Sequence, residues 1–329
     1  MSLAHYPYLS FQLDDEFVEG YANRPVRWGY PCGGSNSFGE ITFLSKYSRL
    51  ITMDGVERKE RYFETCRRVI EGMFSIIKDH CKANRTPWRD DKGLRKAHEA
   101  YERLFEGKWS PPGRGWWMMG TPFVSQYGSA ALQNCAAIST RDIDTDFAKP
   151  FALLHEMSML GIGVGFDTRG KGTVKAHLPK APGRLFIIPD SREGWVDSTA
   201  ALLRCFVEDT FTPVFDYSKI RPAGSPIRGF GGIAAGPGPL IALHDRLDHL
   251  LTGLIGQTLS GSTIVDIANM IGRCTVAGNV RSSAEIALDD GDEEFLDLKD
   301  WNINPERMDF NTGWGHLSNN TVLAKVGTD

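Results

Sequence analysis

From about Met118 onward, short β-like runs alternate with helical runs, and glycines cluster between them. This alternation is the feature that most restricts the fold. Strands separated by helical crossovers pair in parallel and bury one face under the helices, which predicts an α/β architecture. PFALLHEMSML reads as a buried helix, and GIGVGFD after it reads as a strand. A second helix is expected over Asp190–Phe211, with Trp195, Thr199, Leu203 and Phe206 on one face. Asp190 or Ser191 can cap it, and Glu193 stands where a capping box wants a carboxylate. The glycine- and proline-rich RPAGSPIRGFGGIAAGPGPL follows, then a helical run from about Thr263 to Cys274 and a loop at VAGNVRSSAE. WGHLSNNTVLAKVGTD reads as a strand leading onward.

The region before Met118 has a different texture. Aromatics among Gly, Pro and Asn fill the first fifty residues. Tyr62, Cys66, Val69, Ile70, Met73 and Ile77 then fall three or four apart, one apolar stripe of a long helix, with charged residues expected on the opposite face. A second helix is expected from Leu94 to Phe105, and WSPPGRGWW closes the region. The expected division is a mostly helical region over 1–117 and an α/β region over 118–329.

Hydrophobic residues make up 41% of the 329 and charged residues 24%, enough to build a core. A net charge of −4 with no basic tail argues against a nucleic-acid polymer as partner. No apolar run approaches the ~20 residues that span a bilayer. The N-terminus lacks the pattern of a signal peptide. Six scattered cysteines form no CxxC pair or zinc spacing, which reads as a cytoplasmic protein with reduced thiols. Cys66, Cys81 and Cys205 fall at helix-periodic positions and read as small buried hydrophobes.

Several motifs fail on inspection. GIGVGF places Phe166 where a dinucleotide fingerprint needs glycine. GKGT at 170–173 lacks the order of a phosphate-binding P-loop. The histidines are isolated, and His155 in its apolar helix reads as a core residue. No metal site is read. From the residues alone this is an α/β protein whose Gly-rich, Arg-bearing loops suit anions.

Five segments in one order add a resemblance: LQNCAAIST, PFALLHEMSMLGIGVGFD, RPAGSPIRGFGGIAAGP, TVAGNVRSSAEIAL and WGHLSNNTV. Together with the earlier FGEITFLSKYSR, they resemble the class II, adenosylcobalamin-dependent ribonucleoside-triphosphate reductases, the monomeric kind above all. The resemblance implies the first part of a ten-stranded α/β barrel of two antiparallel halves around a finger loop. It implies replacement of the ribose 2′-hydroxyl by hydrogen through a thiyl radical that the cofactor generates by cobalt–carbon homolysis, with two further cysteines delivering the reducing electrons and becoming a disulfide. The implied partners are a ribonucleoside triphosphate, a dNTP effector and a thioredoxin-like reductant.

The same resemblance gives the site residues. Cys135 matches the first reducing cysteine, which must pair with a second thiol across the barrel. Asn134 beside it and Thr121 in GTPFV match substrate-binding positions. Gly278, Asn279 and Arg281 fall in the loop that links effector to substrate base. Arg228, Gly231 and Gly232 match the glycine-rich segment beside the effector phosphates. The stretch at about 168–220 resembles the insertion that replaces a second subunit's helices. There Asp190, Ser191 and Arg192 would meet the effector. For each of these the ordinary alternative is a turn, a buried thiol or an amphipathic helix.

The family's radical cysteine in an NPCxE-like loop, the second reducing cysteine and the C-terminal cysteine pair do not occur in these 329 residues. The expectation is a reductase portion, from a fragment, a split enzyme or an interrupted gene. It would be inactive alone, dependent on a complementary chain, and would contact cobalamin little. Two alternatives stay open: a non-catalytic dNTP-binding module, and a glycyl-radical reductase. No amino-terminal ATP-cone pattern is seen.

Overall fold

The computed structural model describes residues 3–26, 38–53, 55–227, 232–277, 284–324 and 326–327. The chain divides into two compact units, one built on Met1–Gln133 and one on Asn134–Arg228 with Gly232–Asp329.

The first unit carries α1 (Asp15–Glu19), α2 (Phe38–Thr42), the hairpin of β1 (Leu50–Met53) and β2 (Val56–Lys59), α3 (Tyr62–Ala83), α4 (Asp90–Phe105), α5 (Gly113–Met118) and α6 (Pro122–Tyr127). The apolar stripes of α3 and α4 meet as their periodicity requires. Cys66, Val69 and Ile70 pack with Ala97, Tyr101 and Leu104, all fully buried. The charged face of α3 is not solvated, however. Glu64, Arg67, Arg68 and Glu71 are as buried as the apolar stripe, while Ile77 is exposed. Fixed partners explain this. Arg67 pairs with Glu71 and Asp15 at 2.7 Å each, and Arg68 pairs with Glu60 at 2.7 Å. A buried charge is tolerable only with such partners.

The second unit carries β3 (Cys135–Ile138), α7 (Lys149–Met159), β4 (Gly163–Asp167), β5 (Lys180–Ile187), α8 (Arg192–Cys205), β6 (Phe211–Asp216), α9 (Gly238–Gly253), α10 (Gly261–Val276), β7 (Glu285–Asp289), α11 (Glu293–Leu296), α12 (Pro305–Met308) and β8 (Ser318–Val322). β3, β4, β7 and β8 form a parallel sheet in that order, and β5 pairs in parallel with β6. The α/β expectation therefore holds. α7 packs on α8 and α10, and α9 packs on α8 and α10, so the four make a bundle. Its core includes Phe147, Phe151, Leu203, Leu247, Ile264 and Ile271.

Three local readings need correction. The helix expected to reach Phe211 ends at Cys205, because Phe211 opens β6. Ser191 is the cap, its Oγ accepting from the Gly194 N–H at 3.0 Å, and Glu193 pairs with Arg192 rather than closing a capping box. Cys66 and Cys205 are buried, but Cys81 is half-buried, since it lies near the C-terminal end of α3. His155 is buried as expected.

Candidate functional site

The four parallel strands begin flush. Gly163 N–H donates to Asn134 O, Val164 N–H to Ala284 O and Glu285 N–H to Leu317 O, at 2.9–3.1 Å. In register, Cys135 faces Gly163, Val164 faces Glu285, and Glu285 faces Ser318. The end of the sheet where the strands begin therefore carries Asn134, Cys135, Ala284 before β7 and Leu317 before β8. Cys135 is exposed there, whereas Cys66, Cys205 and Cys274 are buried. Gly278, Asn279 and Arg281, just before β7, lie outside the described residues.

The opposite end is closed by polar pairs. Asp167 accepts from Ser139 Oγ at 2.7 Å and from Thr140 N–H at 2.8 Å. Burial pushes its carboxyl up, and these donors outweigh that and hold it below the usual range. Asp289, Asp290 and Asp292 converge, as metal ligands would. The Lys171 ammonium already sits among them, 3.2 Å from Asp289 and 2.8 Å from Asp292. This cluster has its cation.

α7 and α10 both run back towards the starting end, ending just before β4 and β7. Arg192, at the start of α8, reaches Glu156 in the last turns of α7 at 3.4 Å. Asp190 accepts from Arg221 Nε at 2.8 Å and from the Arg221 N–H at 3.2 Å. This pins the segment after β6 to the entrance of α8. The structure thus gathers Asp190, Ser191 and Arg192 at the bundle end where α7 finishes. Gly232 lies in that following segment. Its φ of +95° suits glycine, and its carbonyl accepts from Ile227 N–H at 2.9 Å. Arg228 and Gly231 lie outside the described residues. Arg221 and Glu156 were not singled out in the sequence. Their charge was visible, but their partners lie 31 and 36 positions away in the chain.

Thr121 belongs to the first unit. It is buried, and it caps α6 by accepting from Val124 N–H at 3.5 Å. Its hydroxyl donates to Met118 O at 2.8 Å.

Two further buried groups stand out. Glu285 has both carboxyl oxygens buried without a hydrogen-bond partner among the described residues, and burial pushes its carboxyl well up. His244 contacts Tyr217 Oη at 2.8 Å and Ser198 Oγ at 3.3 Å, and burial pushes its imidazole down to about 3.

Comparison with known proteins bears on the fold and the family. Residues 13–121 match the ribonucleotide reductase alpha domain, and residues 169–251 match the insertion domain of B12-dependent ribonucleotide reductases. The chain is 42% identical to the adenosylcobalamin-dependent ribonucleoside-triphosphate reductase of Euglena gracilis, covering 97% of the chain and 43% of that protein. It is 41% identical to a probable adenosylcobalamin-dependent ribonucleoside-triphosphate reductase of Dictyostelium discoideum, with the same coverage. The Lactobacillus helveticus enzyme of that name is 30% identical over 89% of the chain and 46% of the enzyme. A crystal structure of a B12-dependent, class II ribonucleotide reductase superposes with TM-score 0.72 at 25% identity, covering 95% of this chain and 48% of the other.

Fold and matches together define a ribonucleotide reductase chain. More particularly, it belongs to the B12-dependent, class II branch. It spans less than half the length of these relatives. Among the described residues no helix is long and apolar enough to cross a membrane.

Proposed function

We propose that this chain is the substrate- and effector-binding portion of an adenosylcobalamin-dependent ribonucleoside-triphosphate reductase, making deoxynucleotides for DNA synthesis. The observation that carries this reading is the exposed Cys135 where the strands begin flush, beside the roots of the segments that enter β7 and β8. A reducing thiol must be reached by substrate and by reductant, and a buried one cannot be.

In this reading the ribose 2′-hydroxyl leaves as water. Two electrons come from Cys135 and a partner thiol, which become a disulfide. A thioredoxin-like dithiol then restores both. The exchange suits a reducing, cytoplasmic compartment. Asn134 and the Thr121 segment contact the triphosphate substrate. Because the Thr121 hydroxyl is engaged within its own loop, that segment acts by its shape rather than by a free hydroxyl. Asp190, Ser191, Arg192, Arg228, Gly231 and Gly232 take the dNTP effector, and Gly278, Asn279 and Arg281 relay it to the substrate base. The fold completes as a ten-stranded barrel with a complementary portion.

The cobalamin, when bound, supplies the radical by cobalt–carbon homolysis. A cavity of about 1170 Å³ between α9, α10 and residues 303–314 is roomy. Its walls carry four carboxylates, Asp245, Asp266, Glu306 and Asp309, against Arg246, Arg307 and His249, and Arg307 is already paired with Asp266, so the lining does not favour the cofactor's anionic phosphodiester. No residue of this chain is assigned to the cofactor.

The test is titration of the chain with dATP and CTP, followed by turnover with a radical-bearing complementary portion. Both nucleotides should bind. C135S should leave binding unchanged and abolish reduction. Absence of nucleotide binding, or turnover by C135S, would sink this reading.

A further inference from the structure

In the first unit, every carbonyl of the segment Trp116–Gly120 accepts a hydrogen bond, four of them from outside the segment's own turns. Arg68 donates to Trp116 O at 2.9 Å and to Met119 O. Arg49 donates to Trp117 O at 3.4 Å. Tyr8 Oη donates to Gly120 O at 2.8 Å. The Met118 carbonyl takes both the hydroxyl and the N–H of Thr121. Below this, Gly120 at φ +70° lies backbone to backbone on α3. A Cβ on Gly72 would overlap the Gly120 backbone, and one on Gly120 would overlap Arg68 O.

The clamp is anchored in turn. Glu60 holds Arg68 through both oxygens, at 2.7 and 3.0 Å, and also accepts from Tyr6 Oη, Thr65 Oγ1 and Arg49 N–H. Burial pushes the Glu60 carboxyl up, but Arg68, Tyr6 and Thr65 outweigh it and keep it ionised. Stability alone does not explain this arrangement. A buried ion pair is often no better than apolar packing of the same volume. What it does deliver is a segment whose every carbonyl is fixed in direction. Such fixing is what a binding element needs from its supporting residues.

We infer that Arg68, anchored by Glu60, together with Tyr8 is a positioning device that holds the Trp116–Thr121 segment in the shape that receives the substrate triphosphate. This inference rests on the substrate reading of that segment given above. Arg68 and Tyr8 act through the segment backbone and do not touch substrate. The device belongs to the first unit and leaves the effector residues of the second unit alone.

The experiment uses the full chain, with hydrogen exchange over residues 116–124 and parallel titrations with CTP and dATP. In the unaltered chain, CTP should slow exchange at 116–124. R68M should weaken CTP about tenfold and speed exchange there, with dATP affinity unchanged. Y8F removes one hydrogen bond from a partly exposed ring and keeps the fold; it should weaken CTP about threefold, again sparing dATP. CTP affinity unchanged in both variants, with protection present in the unaltered chain, would overturn the positioning role alone. An equal loss of CTP and dATP would also overturn it, marking a general fold defect. No CTP protection at 116–124 in the unaltered chain would overturn the substrate reading and this inference with it.

Discussion

α3 and α10 are both buried around most of their circumference, and they achieve it by different chemistry. α10 buries Ile264, Val265, Ile267, Ala268, Met270 and Ile271. Its one buried carboxylate, Asp266, accepts from Arg307 Nε at 2.7 Å and Trp314 Nε1 at 2.6 Å. α3 buries an apolar face and, opposite it, Glu64, Arg67, Arg68 and Glu71. An apolar helix face is non-directional and tolerates small shifts of what covers it. An ionic face fixes both distance and direction, because misaligned charges lose their partners and keep their desolvation cost. The difference teaches where each unit needs precision: the first at the segment clamped on α3, the second at the end where the strands begin and at the bundle end.

The largest expected effect breaks the ionic face. E60Q leaves Arg68 buried without its counter-charge and should cost about 3–5 kcal/mol in urea unfolding. Combining E60L with R68M should recover part of that. The residue of the loss measures the Trp116 and Met119 carbonyls left unpaired, and full recovery would show that α3 needs no ionic face. The apolar side of the comparison is tested by L247A, which truncates a fully buried side chain in the bundle. It should cost about 2–5 kcal/mol, through lost transfer energy and the cavity left behind. A cost below about 1 kcal/mol would show that the bundle collapses to refill the space.

The same contrast decides what was legible in the sequence. Periodicity placed α3, α4, α7 and α10, because an apolar stripe needs only residue type and spacing. It placed β4 through the run that follows α7. It missed the ionic face of α3, since Arg68 and Glu60 look like ordinary solvated charges until the hairpin and the segment at 116–120 enclose them. It ran α8 six residues too far, carrying the helix on to Phe211, where the chain has already turned into β6. At the candidate site, the motif singles out Cys135, but its exposure where the strands begin flush follows from parallel register, which only the paired strands reveal. The pair Asp190–Arg221 was hidden for the same reason.

Two buried titratable groups in the second unit give opposite pH signatures. Burial holds the His244 imidazole at about 3, well below its ordinary value near 6.5. A depressed histidine leaves the folded state unable to take the proton that the unfolded chain accepts. Stability should therefore fall by about 1.4 kcal/mol for each pH unit below 6.5, down to about 3. H244Q should lose this slope in urea midpoints measured from pH 7 to 4. Glu285 runs the other way: its carboxyl is raised, so the unfolded chain ionises first and stability falls as pH rises above the ordinary glutamate range. E285Q should flatten that decline, and an unchanged slope would mean the carboxyl finds a partner in solution.

The smallest effect bears most directly on the effector reading. Ser191 Oγ accepts the Gly194 N–H at 3.0 Å and so satisfies one of the four free donors that begin α8. S191A should cost about 1 kcal/mol, the usual worth of a cap. S191D restores an acceptor at that position and should restore the stability. The two variants separate two roles of one hydroxyl. If Ser191 only starts the helix, dATP affinity follows stability: slightly reduced in S191A and recovered in S191D. If its oxygen also meets the effector, a carboxylate there repels the triphosphate, and S191D binds dATP more weakly than S191A although it is the more stable protein. The bundle end would then be read as a binding surface, with Arg192 and Arg221 beside it supplying the counter-charge that Asp190 and Glu156 hold in place.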